Sequence, residues 1–327
     1  MENRILVIMG YPASGKTVIA KEYEKQGYHR LNRDEMGGSL DGLVNHLDRL
    51  YKSEKVNKFI MDNTYPTIKS RSSVVKWAHN NNFKIECKWI DIEVGDALYN
   101  ASKRMIDTYG KLLPPEEIKV SKDIGIYSPA AIYRYRKAFE KPTLQEGFQE
   151  VEKVPFTRKM DKEIYTNKAI LLDYDGTIRK TKSGEKYPVT PEDIEILPNR
   201  TKVLKNYQEK GYLLLGVSNQ SFIVRGVFTL EQAEQCFENT HEMLGINLDY
   251  LFCPHQAYPQ VCYCRKPIPG MGVQFIEKYN LDPSQCIMVG DMKTDQTFAE
   301  RCGFQFVNAH KFFTPKGKIL NHSNFDV

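Results

Sequence analysis

Ile5-Leu-Val-Ile-Met-Gly-Tyr-Pro-Ala-Ser-Gly-Lys-Thr17 is the stretch of sequence that decides the fold of the first half of the chain. Its five apolar residues predict a buried strand, and Gly10–Thr17 then has the spacing G-x-x-x-x-G-K-T. Glycines at these positions let backbone N–H groups turn toward a phosphate at the start of a helix. The alternative is a chance glycine turn. Strand, loop and helix signals in this order favour a loop that binds a nucleoside triphosphate.

The polar residues of this loop have separate expected tasks. We expect Lys16 to supply positive charge to the β- and γ-phosphates of ATP, and Thr17 to offer its hydroxyl to Mg²⁺. The other residues expected to bind the nucleotide are Gly10, Ser14 and Gly15. A loop of this kind does not reveal which molecule accepts the phosphate.

Ala169-Ile-Leu-Leu-Asp-Tyr-Asp-Gly-Thr177 repeats the plan of an apolar strand that ends in polar residues. Asp173 and Asp175 are two positions apart, so one carboxylate could attack phosphorus while the other moves protons. A Ca²⁺ or Mg²⁺ site is the alternative, because residues i and i+2 of a strand share a face. Further buried strands are predicted over Lys58–Met61, Ile85–Ile90, Leu213–Val217 and Ile287–Val289.

Three further segments of the first half carry a resemblance to a known family. They are Leu31-Asn-Arg-Asp-Glu-Met36, Asp62-Asn-Thr-Tyr-Pro-Thr-Ile-Lys-Ser-Arg71 and Tyr135-Arg-Lys-Ala-Phe-Glu-Lys-Pro-Thr-Leu-Gln-Glu-Gly-Phe148. With the glycine loop they resemble the kinase domain of polynucleotide 5′-kinase/3′-phosphatases, over about residues 5 to 156. The chain departs from the phage form, which has an arginine at the position of Gly37.

This resemblance implies roles for four residues of the first half. Asp34 would be the general base that activates a 5′-hydroxyl, and Asp62 and Arg71 would help to form the acceptor and phosphate site. Arg104 would be the lid arginine that stabilises the migrating phosphoryl group. From spacing alone, either aspartate could instead cap a helix, and Arg104 could be a solvated helix residue.

Three groups of polar residues follow the first aspartate pair in the second half. They are Ser218-Asn-Gln220, Arg265-Lys-Pro267 and Gly290-Asp-Met-Lys-Thr-Asp295. Together with the pair they resemble the four motifs of the haloacid dehalogenase superfamily. The resemblance implies Asp173 as nucleophile, Asp175 as general acid/base, and Ser218 and Lys266 as phosphoryl ligands. It implies that Mg²⁺ is bound by Asp173, Asp175, Asp291 and Asp295.

A cysteine-rich segment lies between the second and third of these motifs. Three thiols and one imidazole within twelve residues suit tetrahedral Zn²⁺ with no open position, at Cys253, His255, Cys262 and Cys264. The alternative is a set of reduced cysteines without metal. This segment and the residues around it resemble histidinol-phosphate and heptose-bisphosphate phosphatases, over about residues 169 to 310. That resemblance implies substrate contacts from Asn219, Arg225 and Arg265.

The expected architecture is α/β with two domains in the 327 residues. A P-loop NTPase parallel sheet is expected over residues 1–158, a linker over 159–168, and a haloacid dehalogenase-like, Rossmann-like domain with a zinc loop over 169–327. No apolar run is long enough to span a membrane, so we expect no membrane partner. The start of the chain lacks a signal-peptide pattern, which favours the cytoplasm, or the nucleus in a eukaryote.

The two resemblances lead to different expected substrates. The first expectation is an end-healing enzyme with ATP, Mg²⁺ and Zn²⁺, which phosphorylates 5′-OH ends of DNA or RNA, removes 3′-phosphates and leaves ends for a ligase. The excess of basic residues in Met1–Met160, 27 against 21 acidic, is consistent with a polyanionic substrate. The alternative is a bifunctional kinase and phosphatase of sugar or nucleoside phosphates. A scaffold with inactive sites is a third, non-enzymatic alternative.

Overall fold

The structure is a computed structural model that describes residues 2–259 and 261–314. The chain forms two compact units. Unit 1 comprises the residues up to Arg104 together with Glu116–Lys159, and unit 2 comprises Met105–Pro115 together with the residues from Met160 onward. Residues 315–327, the end of the second expected domain, lie outside the described residues.

The division differs from the expected domains in two respects, because residues 160–168 of the expected linker and Met105–Pro115 belong to unit 2. A Cβ on Gly270 would stand 2.9 Å from Leu112 Cδ1, so this segment packs closely inside unit 2. The expected linker also has a defined structure at its end, where the backbone N–H of Asn167 donates to Asn280. A sequence pattern reflects neighbours along the chain only. It therefore cannot show that Met105–Pro115 packs with residues of unit 2.

The strands of the described residues include ten in two parallel sheets and two in a small antiparallel pair. They are β1 (Arg4–Met9), β2 (His29–Leu31), β3 (Lys58–Asp62), β4 (Lys84–Asp91), β5 (Glu150–Pro155), β6 (Ala169–Leu172), β7 (Arg179–Thr181), β8 (Ile194–Ile196), β9 (Leu213–Asn219), β10 (Asp249–Cys253), β11 (Ile287–Gly290) and β12 (Gln305–Asn308).

Helices connect the strands in both units. They are α1 (Lys16–Glu24), α2 (Arg33–Met36), α3 (Leu40–Glu54), α4 (Ile68–Asn80), α5 (Val94–Tyr109), α6 (Pro115–Val120), α7 (Pro129–Ala138), α8 (Arg200–Glu209), α9 (Leu230–Leu244), α10 (Gly270–Tyr279), α11 (Lys293–Cys302) and α12 (Ala309–Phe312). None of the helices in the described part of the chain combines the length and apolarity that crossing a bilayer requires.

The sheet of unit 1 has the strand order β2-β3-β1-β4-β5, and all of its pairs are parallel. From β1 the chain proceeds to β2 on one side, whereas from β4 it proceeds to β5 on the other. In an open parallel sheet, ligands bind outside the carboxyl ends of the strands where the direction of connection reverses. That position lies between β1 and β4, and the glycine loop directly follows β1.

The sheet of unit 2 has the order β10-β9-β6-β11-β12 and is also entirely parallel. Its reversal point lies between β6 and β11. Asp173 directly follows β6 and Asp291 directly follows β11. The topology therefore brings two motifs that are more than a hundred residues apart to one edge of the sheet.

The six strands expected from apolar runs are all present, and the structure extends five of them by one or two residues. The two parallel sheets confirm the expected α/β fold class. The four outer strands of the two sheets, β2, β5, β10 and β12, are not among the expected strands, and none of them is buried along its whole length. An edge strand buries less surface, so its sequence carries a weaker apolar signal.

Candidate functional sites

The glycine loop of unit 1 connects β1 to α1 and closes tightly on itself. Gly10 and Gly15 adopt φ values of +154° and +90°, in the region that side chains disfavour. The ammonium of Lys16 donates to the Tyr11 carbonyl at 2.6 Å and to the Gly10 carbonyl at 3.2 Å. Burial lowers the pKa of Lys16 to about 8. The lysine is thus held over the loop, close to where a phosphate on the loop N–H groups would lie.

Asp62, at the end of β3, stands beside the hydroxyl of this loop. Thr17 Oγ1 donates to Asp62 Oδ2 at 3.3 Å, and the Arg30 guanidinium pairs with the same oxygen at 2.8 Å. Asp62 is fully buried, and its Oδ1 has no hydrogen-bond partner within the described residues. A hydroxyl, a buried carboxylate and an unpaired carboxylate oxygen form a donor set that suits Mg²⁺. Asp62 therefore lies beside the glycine loop, in contact with Thr17 and Arg30.

A cleft of about 650 Å³ opens between the glycine loop and the helices of unit 1. It is lined by the expected residues Ser14, Gly15, Lys16, Thr17, Asp34, Asp62 and Arg104, and also by Arg30, Arg33 and Arg134. Gly10 is not among the lining residues, although a Cβ there would meet Ser14 Oγ at 2.8 Å. The lack of a side chain at Gly10 lets the loop bring Ser14 close to the Gly10 backbone.

Asp34 lies near the start of the short helix α2 and faces this cleft. The helix is capped by Asn32, whose side-chain oxygen accepts from the N–H groups of Asp34 and Glu35 at 2.9 and 3.1 Å. The Asp34 side chain is therefore not used as the cap. It is half exposed and pairs with its neighbour Arg33 at 2.7 Å. An accessible carboxylate that lines a cleft can accept a proton from an incoming hydroxyl.

Arg71 requires a correction, because the structure does not bring it into the cleft. Its guanidinium is fully buried, donates to both Glu146 oxygens at 2.6 and 2.8 Å, and donates to the Tyr65 carbonyl at 3.0 Å. A two-point pair with a carboxylate leaves this arginine no route to a substrate. Arg104, in contrast, is exposed, lines the cleft and lies 3.4 Å from the Gly125 carbonyl.

Lys266 connects the carboxylates of unit 2. Its buried ammonium lies 2.7 Å from Asp173 Oδ1, 2.7 Å from Asp295 Oδ1 and 2.9 Å from the Val217 carbonyl. Burial raises the pKa of Asp173 to about 7, while the positive charge of Lys266 acts in the opposite direction. The ammonium donates to Asp173 Oδ1 and to the Val217 carbonyl, and the charge of Asp295 lies beside it, so these three contacts hold the lysine in place.

Asp173, Asp291 and Asp295 form an acidic group whose carboxylate oxygens lie within 4.8 Å of one another. Burial raises the pKa of Asp291, as does the charge of Asp295. Gly176 approaches so closely that a Cβ there would stand 2.4 Å from Asp291 Oδ2. Three carboxylates beside one ammonium leave a negative excess that a divalent cation would balance, and oxygen donors suit Mg²⁺.

Asp175 does not join this group, which corrects the expectation that its carboxylate binds the metal. Its Oδ1 accepts from Arg179 Nε at 2.8 Å, and its Oδ2 accepts from Gln220 Nε2 at 3.1 Å. The same Gln220 nitrogen lies 2.8 Å from Ser218 Oγ. The structure thus separates the two aspartates: Asp173 lies with the lysine and the acidic group, whereas Asp175 lies with neutral and cationic donors.

Asn219 holds the backbone of Lys266 rather than facing an open space. Its Nδ2 donates to the Lys266 carbonyl and its Oδ1 accepts from the Lys266 N–H, both at 3.0 Å. The expected substrate contact from Asn219 is therefore corrected to a contact that positions the lysine. Arg225 is exposed with its guanidinium over the Phe222 ring, and Arg265 donates to the His255 carbonyl at 3.0 Å.

The cysteine-rich segment brings its four expected ligands together. The Sγ atoms of Cys253 and Cys262 are 3.5 Å apart, and those of Cys262 and Cys264 are 3.4 Å apart. His255 Nδ1 lies 3.6 Å from Cys253 Sγ and 3.3 Å from Cys264 Sγ. Zinc bonds of roughly 2.3 Å to sulfur and 2.0 Å to nitrogen give tetrahedral edges of about 3.5 to 3.8 Å. The four donor atoms fit a zinc ion.

Two residues that matter for these sites escaped the sequence analysis. Arg30 lies on the short strand β2, and Arg179 lies four positions after Asp175. Arg30 is half-buried and Arg179 is buried, and each pairs with a carboxylate of a site. The available signal was a basic residue close to a motif aspartate. Such a residue is just as common on a solvated surface as in a site, so the signal does not single it out.

Comparisons with known proteins bear mainly on unit 2. A model of the family "polynucleotide kinase 3 phosphatase" matches residues 168–313. The D-glycero-beta-D-manno-heptose-1,7-bisphosphate 7-phosphatase of Haemophilus ducreyi is 38% identical over 164 residues, which are 46% of this chain and 88% of the relative. A probable heptose-1,7-bisphosphate 7-phosphatase of Thermoplasma volcanium is 35% identical over 144 residues, 42% of this chain and 96% of the relative. The chain belongs to the haloacid dehalogenase superfamily of phosphatases.

A solved structure of the same kind is that of D,D-heptose 1,7-bisphosphate phosphatase from B. bronchiseptica, complexed with magnesium and phosphate. It is 25% identical, covers 43% of this chain and 79% of its own, and has a TM-score of 0.39. The four polar groups that identified the superfamily in the sequence are the ones that the fold of unit 2 brings to one sheet edge. Membership of this phosphatase superfamily thus confirms the expected phosphatase class of the second half.

Proposed function

We propose that this chain heals nucleic-acid ends with two sites. Unit 1 transfers the γ-phosphoryl group of ATP to a 5′-hydroxyl, and unit 2 hydrolyses a 3′-phosphate through an aspartyl-phosphate. The observation that carries this proposal is the pairing of a 3′-phosphatase family match in unit 2 with a lysine-bearing glycine loop and a cleft in unit 1. A phosphatase of small esters has no need of the second site.

The phosphatase reaction requires two proton-moving steps around Asp173. Its carboxylate attacks phosphorus, the bond from phosphorus to the ester oxygen breaks, and Asp175 gives its proton to that oxygen. A water oxygen then attacks phosphorus, the bond from phosphorus to the Asp173 carboxylate oxygen breaks, Asp175 takes the water proton, and inorganic phosphate leaves. Lys266, at 2.7 Å from Asp173, offsets the repulsion between the anionic nucleophile and the anionic phosphate.

Magnesium would be held by the acidic group of Asp173, Asp291 and Asp295, which fits it in charge and donor type. When bound, it supplies positive charge that neutralises the phosphoryl oxygens and keeps Asp173 ionised. Ser218, buried and within hydrogen-bond distance of Gln220, would donate its hydroxyl to a phosphoryl oxygen.

The kinase reaction would use the cleft of unit 1. The acceptor hydroxyl oxygen attacks the γ-phosphorus of ATP, and the bond from the γ-phosphorus to the bridging oxygen of ADP breaks. Asp34 takes the hydroxyl proton. Lys16 lies over the phosphate loop, and Arg104 on the cleft wall would face the migrating group. Thr17 and Asp62 would hold the Mg²⁺ that accompanies ATP.

Zinc in unit 2 would serve structure rather than reaction. Cys253, His255, Cys262 and Cys264 would fill its tetrahedral shell, so no ligand position would remain for a substrate. The last ligand directly precedes Arg265 and Lys266 in the chain. A closed metal site there would fix the position from which the lysine reaches Asp173.

The decisive assay uses the full chain with three substrates in separate reactions. We expect ATP-dependent labelling of a 5′-OH oligonucleotide and release of phosphate from a 3′-phosphorylated oligonucleotide, both requiring Mg²⁺. The third substrate is D-glycero-D-manno-heptose 1,7-bisphosphate. Turnover of the heptose ester without any reaction at either oligonucleotide end overturns the proposal.

The second candidate function is a phosphatase of a small sugar phosphate, paired with a small-molecule kinase. It is favoured by the 38% identity to a heptose-bisphosphate phosphatase over most of that relative. It predicts phosphatase activity that does not depend on the length of an oligonucleotide substrate and that changes little with salt concentration. End healing predicts the opposite, because contacts to a polyanion weaken as salt rises.

A further inference from the structure

Both carboxylate oxygens of Asp175 accept hydrogen bonds from side chains, and the shorter of the two bonds comes from a buried arginine. Arg179 Nε donates to Asp175 Oδ1 at 2.8 Å, while Gln220 Nε2 donates to Oδ2 at 3.1 Å. The arginine side chain is 2% exposed, whereas that of Asp175 is 21% exposed. The pair therefore consists of a fixed, desolvated cation and a carboxylate with one side toward solvent.

The local sequence explains how Arg179, four positions after Asp175, can contact the Asp175 carboxylate. Gly176 adopts a φ of +82° and its N–H donates to the Arg179 carbonyl at 2.9 Å. This turn folds the chain so that Arg179, the first residue of β7, stands beside Asp175. A residue with a Cβ at position 176 would be strained there and would meet Asp291.

The far end of the guanidinium is anchored in helix α9. Arg179 Nη1 donates to the Cys236 carbonyl at 2.7 Å and to Thr240 Oγ1 at 2.9 Å. The guanidinium also lies 5.1 Å from the centre of the Phe237 ring. Helix α9 thus fixes the arginine, and the arginine fixes the carboxylate.

We propose that Arg179 is a positioning residue for the leaving-group step, since it holds Asp175 where its proton can reach the ester oxygen. The proposal rests on the general acid/base role proposed above for Asp175. A misplacement of about 1 Å at a reacting group is enough to cost on the order of 10²-fold in rate. Gln220, which also contacts Ser218 Oγ, ties the same carboxylate to the expected phosphoryl ligand.

The test compares substrates whose leaving groups differ in their need for a proton. p-Nitrophenolate leaves well without protonation, whereas an alkoxide requires it. The alkyl probe is the 3′-phosphorylated oligonucleotide or the heptose bisphosphate, whichever the wild-type chain hydrolyses. We expect Arg179→Gln to lower kcat on the alkyl probe by about 10- to 100-fold and on p-nitrophenyl phosphate by less than about 3-fold.

Asp175→Asn, tested alongside, separates this inference from the proposal on which it rests. If Asp175→Asn shows no preference for the good leaving group, the acid role of Asp175 fails. If it does show that preference and Arg179→Gln does not, Arg179 has no positioning role. In the double variant, Arg179→Gln should add nothing further, because the carboxylate that it positions is already replaced.

Arg200→Gln is the matched control. Arg200 Nε donates to the Thr177 carbonyl at 2.9 Å in the same loop, yet it touches no carboxylate of the site. An equal leaving-group bias in this variant would show that loop packing alone is responsible and would overturn the proposal. Arg179→Lys retains a positive charge and replaces Arg179→Gln if the latter does not fold, with a smaller loss of the same kind expected. Equal losses on both probes with Arg179→Lys would also refute it.

Discussion

The two units carry the same sheet plan but prepare their sites to different degrees. In unit 2, Lys266 lies 2.7 Å from Asp173 and from Asp295, so the proposed nucleophile and the ammonium are held together by the fold itself. In unit 1, Lys16 contacts the carbonyls of its own loop, and Asp34 is half exposed on a four-residue helix.

The difference corresponds to the chemistry proposed for each unit. A covalent mechanism needs its nucleophile at a fixed point, and burial among charges provides that point. A kinase must receive two substrates from solution, so part of its site forms only when they bind. Preassembly in unit 2 and an open cleft in unit 1 are therefore both expected, and they predict that the two activities can be removed separately.

The largest effect should follow from Asp173→Asn. The amide cannot attack phosphorus, and we expect phosphatase activity to fall by on the order of 10³-fold or more. ATP-dependent labelling of 5′-OH ends should persist. Measuring both activities on one preparation checks this, with Asp249→Asn, a partly exposed residue of the same unit, as control. Loss of both activities in the Asp173 variant would contradict independent sites.

Lys16→Ala should produce the complementary result. Without the ammonium, charge on the β- and γ-phosphates is not offset, and kinase activity should fall by about 10²-fold or more. Phosphate release from the phosphatase substrate should not change. The control is Lys21→Ala, an exposed lysine on the same helix α1. If Lys21→Ala reduces labelling as much as Lys16→Ala does, the loop lysine has no special part in the transfer.

Removal of the proposed zinc should affect unit 2 alone. Cys264→Ser breaks the ligand set beside Lys266, so we expect loss of bound zinc and a roughly 10-fold or larger fall in phosphatase activity. Metal analysis of the purified chain gives the stoichiometry, with about one zinc expected per chain. Cys286→Ser, a buried cysteine outside the quartet, is the control. A chain that is free of zinc and fully active would refute a metal-held loop.

Breaking the Arg71–Glu146 pair should reduce stability rather than substrate binding. Glu146→Gln leaves a buried guanidinium without its counter-charge, at a cost of about 3 kcal/mol or more. Both tryptophans of the chain, Trp77 and Trp89, lie in unit 1, so their fluorescence follows the unfolding of this unit in urea. The KM for the 5′-OH oligonucleotide should not change below the transition. A raised KM with normal stability would restore Arg71 to the acceptor site.

Much of this arrangement could be predicted from sequence because the decisive residues follow apolar strands. The glycine loop and the four expected zinc ligands are local patterns whose members the structure places together. The aspartate pair is also a local pattern, although its two carboxylates contact different partners. The order of strands within each sheet was not accessible, since it depends on which strands pair across the fold. The reversal point between β6 and β11 is a property of that order.

The misassigned residues share a physical cause. Arg71 and Asn219 were assigned by motif position, yet each side chain is satisfied by a protein partner, Glu146 in one case and the Lys266 backbone in the other. A motif shows where a side chain begins, but not whether it points to substrate or to its own scaffold. The contacts of Arg30 and Arg179 were missed for the converse reason, because long-range and turn contacts leave little trace in a sequence.

The smallest effect should come from acid, and it should appear in unit 2. His241 is buried on α9 with Nε2 2.9 Å from the Tyr174 hydroxyl, and burial lowers the pKa of His241 to about 4. The unfolded chain, with a pKa near 6.5, binds the proton more readily, so stability present above about pH 6.5 is lost as pH falls toward 4. We expect about 1 kcal/mol, because solvent near the ring reduces the effect. Hydrogen exchange of the β6 and β9 amides at pH 7 and pH 5 measures this loss, which His241→Asn should diminish. An unchanged pH dependence in that variant would mean that other groups cause the acid sensitivity of unit 2.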